Sequence, residues 1–293
     1  MALEFVPLHP LFAAEAKGID LAKPLGAEDR DRIVAALDRY AVLVFRGQSL
    51  DEDRQVAFAK SFGPLDMGLK KLRKGAPDRF RHAELIDLSN TTADGALVAR
   101  DSAKLYSNIA NQFWHSDSSF QKPAARYSML HAFVVPSKGG ETEYADLRAA
   151  YDALPEDVKE EIAGLEAEHY ALHSRLMLGD PSYSEEQKKV LPPVTWPLVR
   201  THPGSGRKLL WAGIHATHIH GMTVPEGRML LADLLEHATQ REFVYRHRWR
   251  VGDLVMWDNR AVVHRGRRWD PAERREMRRA TTEDVDAALA SAA

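Results

Sequence analysis

The chain has 293 residues, of which 44% are hydrophobic and 28% charged, an ordinary balance for a globular protein that buries a core. Forty basic side chains against forty-two acidic ones leave a net charge of −2, so the charge balance does not point to nucleic acid as a partner. The absence of cysteine excludes disulfides, thiolate zinc sites, iron–sulfur clusters and cysteine nucleophiles together.

The composition of the first residues bears on the compartment that the sequence predicts. Residues 1–20 lack a basic region followed by an apolar run, so no secretory signal peptide is expected. No apolar run approaches membrane-spanning length, and a cysteine-free chain suits a reducing compartment. We therefore expect a cytoplasmic protein with no membrane partner.

The first predicted elements are a strand and a helix. Residues 41–45 form an apolar, β-branched run closed by Arg46 and Gly47, which predicts a buried strand. Residues 49–62 carry acidic side chains early and apolar ones late, which predicts a helix. The sequence from 63 to 111 is polar and favours a surface loop. Because long loops beside functional sites often act as lids, a lid is expected around 64–110.

Residues 111–120 contain His115 and Asp117, which lie two residues apart among aromatic side chains. In an extended segment residues i and i+2 point to the same side, so both could reach one metal ion. His264, far downstream, offers a second imidazole. Two histidines and one carboxylate on one face of a metal form the facial triad of non-haem Fe(II) oxygenases. His115, Asp117 and His264 are therefore the candidate metal ligands.

The middle of the chain alternates between strand and helix patterns. Strands are predicted at 125–136 and 142–144, with a turn at Gly139 and Gly140 between them. Residues 146–169 carry apolar side chains at helical spacing, and Pro155 is placed to open a second helix. A helical insert is therefore expected around 146–190. A hairpin is predicted from residues 195–202 and 207–212.

The last part of the chain contributes an amphipathic helix at 225–240 and strands at 243–249, 254–264 and 276–281. Neither a repeat nor a clear linker divides residues 1–293. Short strands early and late, with helices between them, predict one mainly β domain with inserted helices around a double-stranded β-helix, or jelly roll. In such a barrel, residues that are distant in sequence can share the interior.

Two arginines near the end of the chain stand out by their spacing. Arg275 and Arg279 are four residues apart, so on a strand their guanidinium groups share one face. An exposed basic tail is the alternative, because several more arginines crowd residues 265–278. A guanidinium is the natural bidentate partner of a carboxylate, so this pair suits two carboxylate ligands beside a metal.

These features resemble the Fe(II)/2-oxoglutarate-dependent dioxygenases of the taurine dioxygenase superfamily. The residues that carry the resemblance are His115, Asp117, Thr142 after the glycine turn, His264 and Arg275. Longer runs resemble the herbicide-degrading branch that acts on 2,4-dichlorophenoxyacetate, and they lie at 7–14, 42–48, 114–121, 148–155 and 257–260. The resemblance extends to about Thr282, nearly the whole chain.

The resemblance implies Fe(II) held by the three candidate ligands, with 2-oxoglutarate and O2 as cosubstrates. It implies that Thr142 and Arg275 hold the C5 carboxylate of 2-oxoglutarate. Arg279 matches the position used for the acidic group of the substrate, so a small-molecule carboxylate is the expected partner. Asp117 stands where related halogenases have a small residue, which implies hydroxylation. A homo-oligomer is also expected.

Further side chains are expected to face the substrate by the same resemblance: Lys71 on the lid, Asn111, His202 and His218. Simple exposure is the alternative for Lys71. By count, His215, His218 and His220 could form a second metal site, although a polar loop with ordinary histidines is favoured. The lid runs at 69–76 and 91–98 differ from the family pattern, a departure that bears on the substrate range and not on the iron chemistry.

The expected reaction is hydroxylation of an aryloxyalkanoate such as 2,4-dichlorophenoxyacetate, giving a phenol, glyoxylate, succinate and CO2. The alternative within the superfamily is a sulfonate or alkyl sulfate substrate of the taurine type. A non-catalytic metal-binding or small-molecule-binding jelly roll is the alternative from another class. Nucleic-acid binding through the C-terminal arginines is disfavoured, because no stacking aromatic residues are interleaved with them.

Overall fold

A computed structural model of the protein describes residues 2–72, 79–180 and 183–285. Its strands are β1 (Glu4–Pro7), β2 (Ala14–Lys17), β3 (Val42–Phe45), β4 (Ile86–Asp87), β5 (Ala125–Val134), β6 (Thr142–Asp146), β7 (Glu166–His169), β8 (Val194–Pro197), β9 (Val199–Thr201), β10 (Lys208–Leu210), β11 (Ala216–Ile219), β12 (Val244–His247), β13 (Leu254–Asp258), β14 (Val262–Gly266) and β15 (Glu276–Glu283). Its helices are α1 (Ala27–Tyr40), α2 (Glu52–Lys60), α3 (Ala103–Ala110), α4 (Leu147–Asp152), α5 (Glu156–Ile162), α6 (His173–Met177), α7 (Glu185–Val190) and α8 (Val224–Ala238), with 3-10 turns at Gly68–Leu72 and Arg241–Phe243.

The largest sheet has seven strands in the order β1-β2-β3-β13-β5-β15-β4. Only β2 and β3 pair in parallel, and the other described neighbours are antiparallel. Every residue of β3 and β13 is buried, because both faces of these inner strands are covered. α1 and α2 pack on one face through Ile33, Leu37 and Phe58.

A second sheet, in the order β12-β6-β14, packs on the opposite face of the large sheet. Tyr144 of β6 meets Trp257 of β13 there, with ring centroids 5.4 Å apart, and Val262 and Met277 complete the contact. Two facing sheets built from early and late parts of the chain form a double-stranded β-helix core, as the sequence predicts. The interior between the sheets is where the candidate metal ligands lie.

The insert at 146–190 is only partly helical. α4 and α5 form as predicted, but Gly164, with φ of +79°, ends the helical run, and residues 166–169 form β7 instead. The prediction of helix up to His169 is therefore wrong. Residues 181 and 182 of this insert lie outside the described part of the chain. β7 pairs with β8 and β11 in a separate three-stranded sheet, while β9 and β10 form the predicted hairpin.

The predicted strand at 254–264 is two strands in different sheets. Asp258 ends β13, and its carboxylate accepts a hydrogen bond from the backbone N–H of Arg260, 2.8 Å away, which closes a turn before β14 begins. The chain thereby crosses from the large sheet to the small one within three residues. This turn brings His264 into the interior.

The predicted lid at 64–110 contains more regular structure than an irregular surface loop. It holds the Gly68–Leu72 turn, β4 paired with β15, and α3, whose first turn is capped by Ser102. Residues 73–78 of this segment lie outside the described part of the chain. Among the described residues, none of the helices has the length and apolar character that crossing a bilayer requires.

Candidate active site

The two segments that carry the candidate metal ligands pair directly with each other. His115 and His264 form an isolated antiparallel bridge, with backbone N–H···O distances of 3.0 and 2.8 Å. Their imidazole centroids lie 4.2 Å apart, and both rings are buried. The bridge explains how residues so distant in sequence come together at one place.

Asp117 completes the group predicted from the sequence. Its carboxylate oxygens lie 3.9 Å from Nε2 of His115 and 3.8 Å from Nε2 of His264. One ligand atom from each of the three residues lies within 4.8 Å of the others, a spacing that one metal ion can bridge. The Nδ1–H of His115 can donate to the carbonyl of Phe113, 2.8 Å away, which leaves its Nε2 as the bare nitrogen.

The protonation states of these groups suit a cation. Burial lowers the pKa of His115, and burial together with the neighbouring His115 holds the pKa of His264 well below its ordinary value. Burial alone raises the pKa of Asp117, but the guanidinium of Arg279 and the two imidazoles outweigh burial and keep it well below its usual range. Two neutral imidazoles and one carboxylate are the donor set that Fe(II) takes in a facial triad.

Residues outside the triad hold the Asp117 side chain in place. Ser128 on β5 donates to Oδ2 of Asp117 at 2.7 Å, while Asn259 accepts from the Asp117 backbone N–H at 3.1 Å. Asn259 also donates to Ser128 at 2.9 Å, so the three residues form a closed network. Sequence reasoning assigned no role to Ser128 or Asn259, because only the pairing of sheets brings them to Asp117.

Arg275 and Arg279 lie on the same face of the segment that forms β15, as their spacing predicts. Arg279 donates from Nη1 to Oδ1 of Asp117, so it contacts the triad directly. Arg275 is 7% exposed and lies over the ring of Trp269 at 5.0 Å, and no carboxylate among the described residues pairs with it. Burial lowers the pKa of Arg275 to about 10. A buried guanidinium in this condition has the chemistry to pair with an anion.

Thr142, at the start of β6, shares a narrow cavity with Arg275, His264 and Arg279. The indole N–H of Trp249 donates to Oγ1 of Thr142 at 3.0 Å. Because indole nitrogen only donates, the Thr142 hydroxyl accepts there and keeps its own proton for another acceptor. A hydroxyl donor and a guanidinium therefore converge from opposite sheets.

A larger cavity of about 890 Å³ opens from the triad toward the segment 64–110. Asn111 lines it, and Lys71 also lines it, with Nζ bound to Asp66 at 2.9 Å and to Gln121 at 3.1 Å. The cavity has apolar and aromatic lining residues as well: Met67, Leu69, Ile86, Leu88, Ala110, Phe120, Tyr183 and Ile214. Its size and mixed lining suit an aromatic acid of modest size.

The structure does not place His202 or His218 on either cavity. His202 is fully buried elsewhere, with Nε2 3.1 Å from Asp258, and His218 contacts Thr217 at 2.9 Å on β11. Their expected position facing the substrate is therefore wrong. His202 directly follows β9 of the hairpin, and His218 lies on β11 of the inserted sheet. The orientation of both elements depends on partners outside the local sequence.

His215, not His218, is the histidine of this region that reaches the cavity. Its ring meets those of His115 and Phe120 at centroid distances of 6.1 and 4.9 Å. His215, His218 and His220 are not among the groups that could hold a metal in the described part of the chain. The spacing of the histidines contained no signal that separated His215 from its neighbours.

Comparison with known proteins adds relatives of high similarity. The model of the family described as "Taurine catabolism dioxygenase TauD, TfdA family" matches residues 4–281. Two similar proteins are described as alpha-ketoglutarate-dependent 2,4-dichlorophenoxyacetate dioxygenases. The one from Cupriavidus pinatubonensis is 63% identical, and the alignment covers 95% of this chain and 96% of the relative. The one from a Burkholderia species is 60% identical, and the alignment covers 96% of this chain and 95% of the relative. The crystal structure of AAD-2 in complex with Mn(II) and N-oxalylglycine superposes with a TM-score of 0.92 at 46% identity, covering 97% of this chain and 98% of that one.

Proposed function

Because the chain belongs to the TauD/TfdA family of dioxygenases, we propose that it oxidises aryloxyacetates such as 2,4-dichlorophenoxyacetate and releases a phenol. It is a 2-oxoglutarate-dependent non-haem iron dioxygenase. The observation that carries the proposal is a pair of arginines beside the triad, Arg279 on β15 and Arg275 directly before that strand. Both 2-oxoglutarate and the aryloxyacetate are carboxylates that bind beside the same metal. Each of these two anions therefore needs its own cation.

The metal is held by His115, Asp117 and His264. The fit rests on their chemistry, since two neutral imidazoles and one carboxylate converge in a site from which water is largely excluded. When bound there with O2 and 2-oxoglutarate, Fe(II) supplies an oxidation in which one oxygen atom enters the succinate formed with CO2 and the other enters a substrate C–H bond.

Arg275 and Thr142 hold the C5 carboxylate of 2-oxoglutarate. The Nε of Arg275 is buried and has no hydrogen-bond partner among the described residues, and the Thr142 hydroxyl retains a proton to donate. Together they offer one charged and one neutral donor to the same carboxylate, which fixes its orientation. A buried donor without a hydrogen-bond partner is unfavourable. Binding of the carboxylate is therefore favoured because it supplies the missing acceptor.

Arg279 holds the carboxylate of the substrate. A guanidinium has five N–H donors, and the bond to Asp117 uses only Nη1, while Nε has no partner among the described residues. Arg279 also lines the larger cavity, where cations outnumber carboxylates: Lys70, Lys71, Arg79, Lys104, Arg175 and Arg279 against Asp87 and Asp117. This excess favours entry of an anion.

Pairing the substrate carboxylate with Arg279 sets the neighbouring ether CH2 close to the triad. Position, more than binding strength, then selects which C–H bond reacts. Hydroxylation of this carbon forms a hemiacetal, which collapses to a phenol and glyoxylate without a separate acid or base from the protein. The aryl ring packs against the apolar wall that includes Phe120 and Ile214, and Asn111 and Lys71 contribute polar contacts around it.

Residues 1–293 form one oxygenase domain in this proposal, and residues 64–110 act as its lid. Support comes from the cavity lining, to which Met67, Lys71, Ile86 and Asn108 of that segment contribute. Substrate binding should therefore slow hydrogen exchange across the described part of 64–110. Exchange that substrate leaves unchanged would contradict a lid.

We also propose that the chain works in the cytoplasm as a homo-oligomer. The end of α6 exposes Leu176 and Met177, and Leu178 follows them, which is apolar surface of a kind that subunit contacts cover. The cysteine-free composition suits a reducing compartment. Sedimentation velocity gives the subunit count, and cell fractionation gives the compartment.

The deciding experiment measures phenol and succinate together. Purified protein receives Fe(II), 2-oxoglutarate and O2 with either 2,4-dichlorophenoxyacetate or taurine. We expect one phenol per succinate with the aryloxyacetate and little sulfite from taurine, and omission of Fe(II) serves as the control. Efficient sulfite release without any phenol would overturn the substrate assignment, and no succinate under any condition would overturn the enzymatic role.

A further inference from the structure

A buried carboxylate at the base of the segment 64–110 connects this segment to the loop that carries Asp117. Asp66 is 1% exposed and does not belong to the triad. Its backbone N–H donates to the carbonyl of Thr281 on β15 at 2.8 Å, and the preceding Leu65 forms a bridge with Thr282. The large sheet therefore fixes the position from which the Asp66 carboxylate acts.

One side of Asp66 holds the metal-ligand loop. Ser118, the residue directly after Asp117, donates its hydroxyl proton to Oδ2 of Asp66. Ser118 has φ of +48°, a left-handed conformation that is unfavourable for any residue other than glycine and persists only where contacts hold it. Gln121, further along the same loop, donates to Oδ1 of Asp66 at 3.0 Å. The bond to Asp66 thus stabilises the backbone turn that aims Asp117.

The other contacts of Asp66 are to the lid. The backbone N–H of Gly68 and Nζ of Lys71 each donate to Oδ1 at 2.9 Å. Gly68 itself has φ of +49° and lies beside the loop, since a Cβ atom there would be in van der Waals contact with Oγ of Ser118, 3.6 Å away. One carboxylate therefore receives donors from the lid turn and from the metal-ligand loop at the same time.

We propose that Asp66 is a positioning residue that couples the order of the lid to the orientation of Asp117 at the metal. It acts on Asp117 through Ser118 and on the cavity cover through Gly68 and Lys71. The inference rests on the proposed function, because it takes Asp117 as a metal ligand. A loss of the Asp66 contacts should loosen metal binding and the lid together, and should let oxidation of 2-oxoglutarate proceed without matched phenol release.

The test compares Asp66→Asn and Ser118→Ala with the matched control Asp253→Asn. Asp253 is also 1% exposed and accepts from Arg46, His247 and the Arg250 backbone, but it contacts neither the lid nor the metal-ligand loop. The measurements are Fe(II) affinity by anaerobic calorimetry with 2-oxoglutarate present, hydrogen exchange of residues 66–71, and the ratio of succinate to phenol.

We expect Asp66→Asn to weaken Fe(II) binding by about tenfold, the lower end of the range for residues that orient metal ligands. It should also speed exchange at 66–71 and raise the succinate-to-phenol ratio, while Asp253→Asn lowers only the melting temperature. Ser118→Ala should reproduce the weaker metal binding with a smaller effect on the lid. Combining the two substitutions should weaken metal binding less than the sum of the single effects, since they break one interaction.

The outcomes separate the inference from the function on which it rests. If the wild-type protein itself binds no Fe(II), the proposed function fails. If the wild type binds Fe(II) and Asp66→Asn binds it equally well with an unchanged lid, the inference is overturned. Should Asp66→Asn not fold, Ser118→Ala decides alone, because it removes only the branch to the metal-ligand loop, and wild-type metal affinity in that variant overturns the coupling.

Discussion

Replacement of Arg275 by alanine tests the cosubstrate site most directly. The side chain is 7% exposed, and no carboxylate among the described residues pairs with it, so its guanidinium is available to a ligand in a desolvated site. The depression of its pKa to about 10 by burial reflects the same desolvation. A carboxylate bound there forms a buried, charge-assisted pair with few competing contacts.

The expected magnitude follows from this burial. Removing one partner of a buried, hydrogen-bonded charge pair costs about 2–5 kcal/mol. At about 1.4 kcal/mol per tenfold, this corresponds to roughly 30-fold or more in affinity for 2-oxoglutarate. Arg275→Lys should recover only part of the loss, because an ammonium cannot reproduce the planar fork of donors.

The assay is calorimetric titration of 2-oxoglutarate into the anaerobic, Fe(II)-loaded protein, with the KM for 2-oxoglutarate measured in parallel. Arg274→Ala is the matched control, because its side chain is 52% exposed and pairs with Glu276 on the other face of the strand. We expect wild-type affinity in this control. Unchanged 2-oxoglutarate affinity in Arg275→Ala, with a loss in Arg274→Ala, would refute the assignment and move the role to the neighbouring arginine.

Three further predictions concern the metal, the substrate and pH. Asp117→Ala should abolish turnover in a folded protein, as checked by circular dichroism and phenol release, and full activity would remove Asp117 from the triad. Arg279→Ala should raise the KM for the aryloxyacetate by roughly 30-fold and change that for 2-oxoglutarate much less, measured at saturating Fe(II), since it removes one partner of a buried charge pair. Burial lowers the pKa of His169 to about 3, from an ordinary value of about 6.5, so the unfolded chain binds one more proton between these values. The contribution of His169 to the free energy of unfolding is present above pH 6.5 and is lost as the pH falls, by about 1.4 kcal/mol per pH unit. The free energy of unfolding of His169→Phe, measured in urea, should therefore depend less on pH than that of the wild type. An identical pH dependence in the two proteins would contradict the burial argument.

The local sequence was sufficient for the elements whose signals are short-range. The apolar run at 41–45 predicted β3, and Thr223 with Glu226 caps α8 close to its predicted start. The spacing of His115 and Asp117 predicted that both side chains could reach one metal. Strand geometry likewise put Arg275 and Arg279 on one face.

Tertiary structure decided which of these side chains have partners. The alternation of a strand shows which face a residue occupies but not which strand lies opposite, so His202 and His218 were assigned to a cavity that neither reaches. His215 reaches it because β11 pairs with β7, a contact that no local pattern specifies. Which distant residues come into contact depends on how whole sheets pack together, and a short stretch of sequence does not determine that packing.

The same limit applies around Asp117. The motif identified the carboxylate, but its partners Ser128, Asn259 and Arg279 come from β5, the turn after β13, and β15. These contacts exist because a jelly roll folds distant strands around one interior, and a buried carboxylate must be satisfied by whichever donors the folded sheets present. By itself, the sequence determined the chemical groups of the site, and only the tertiary structure determined how each group is held.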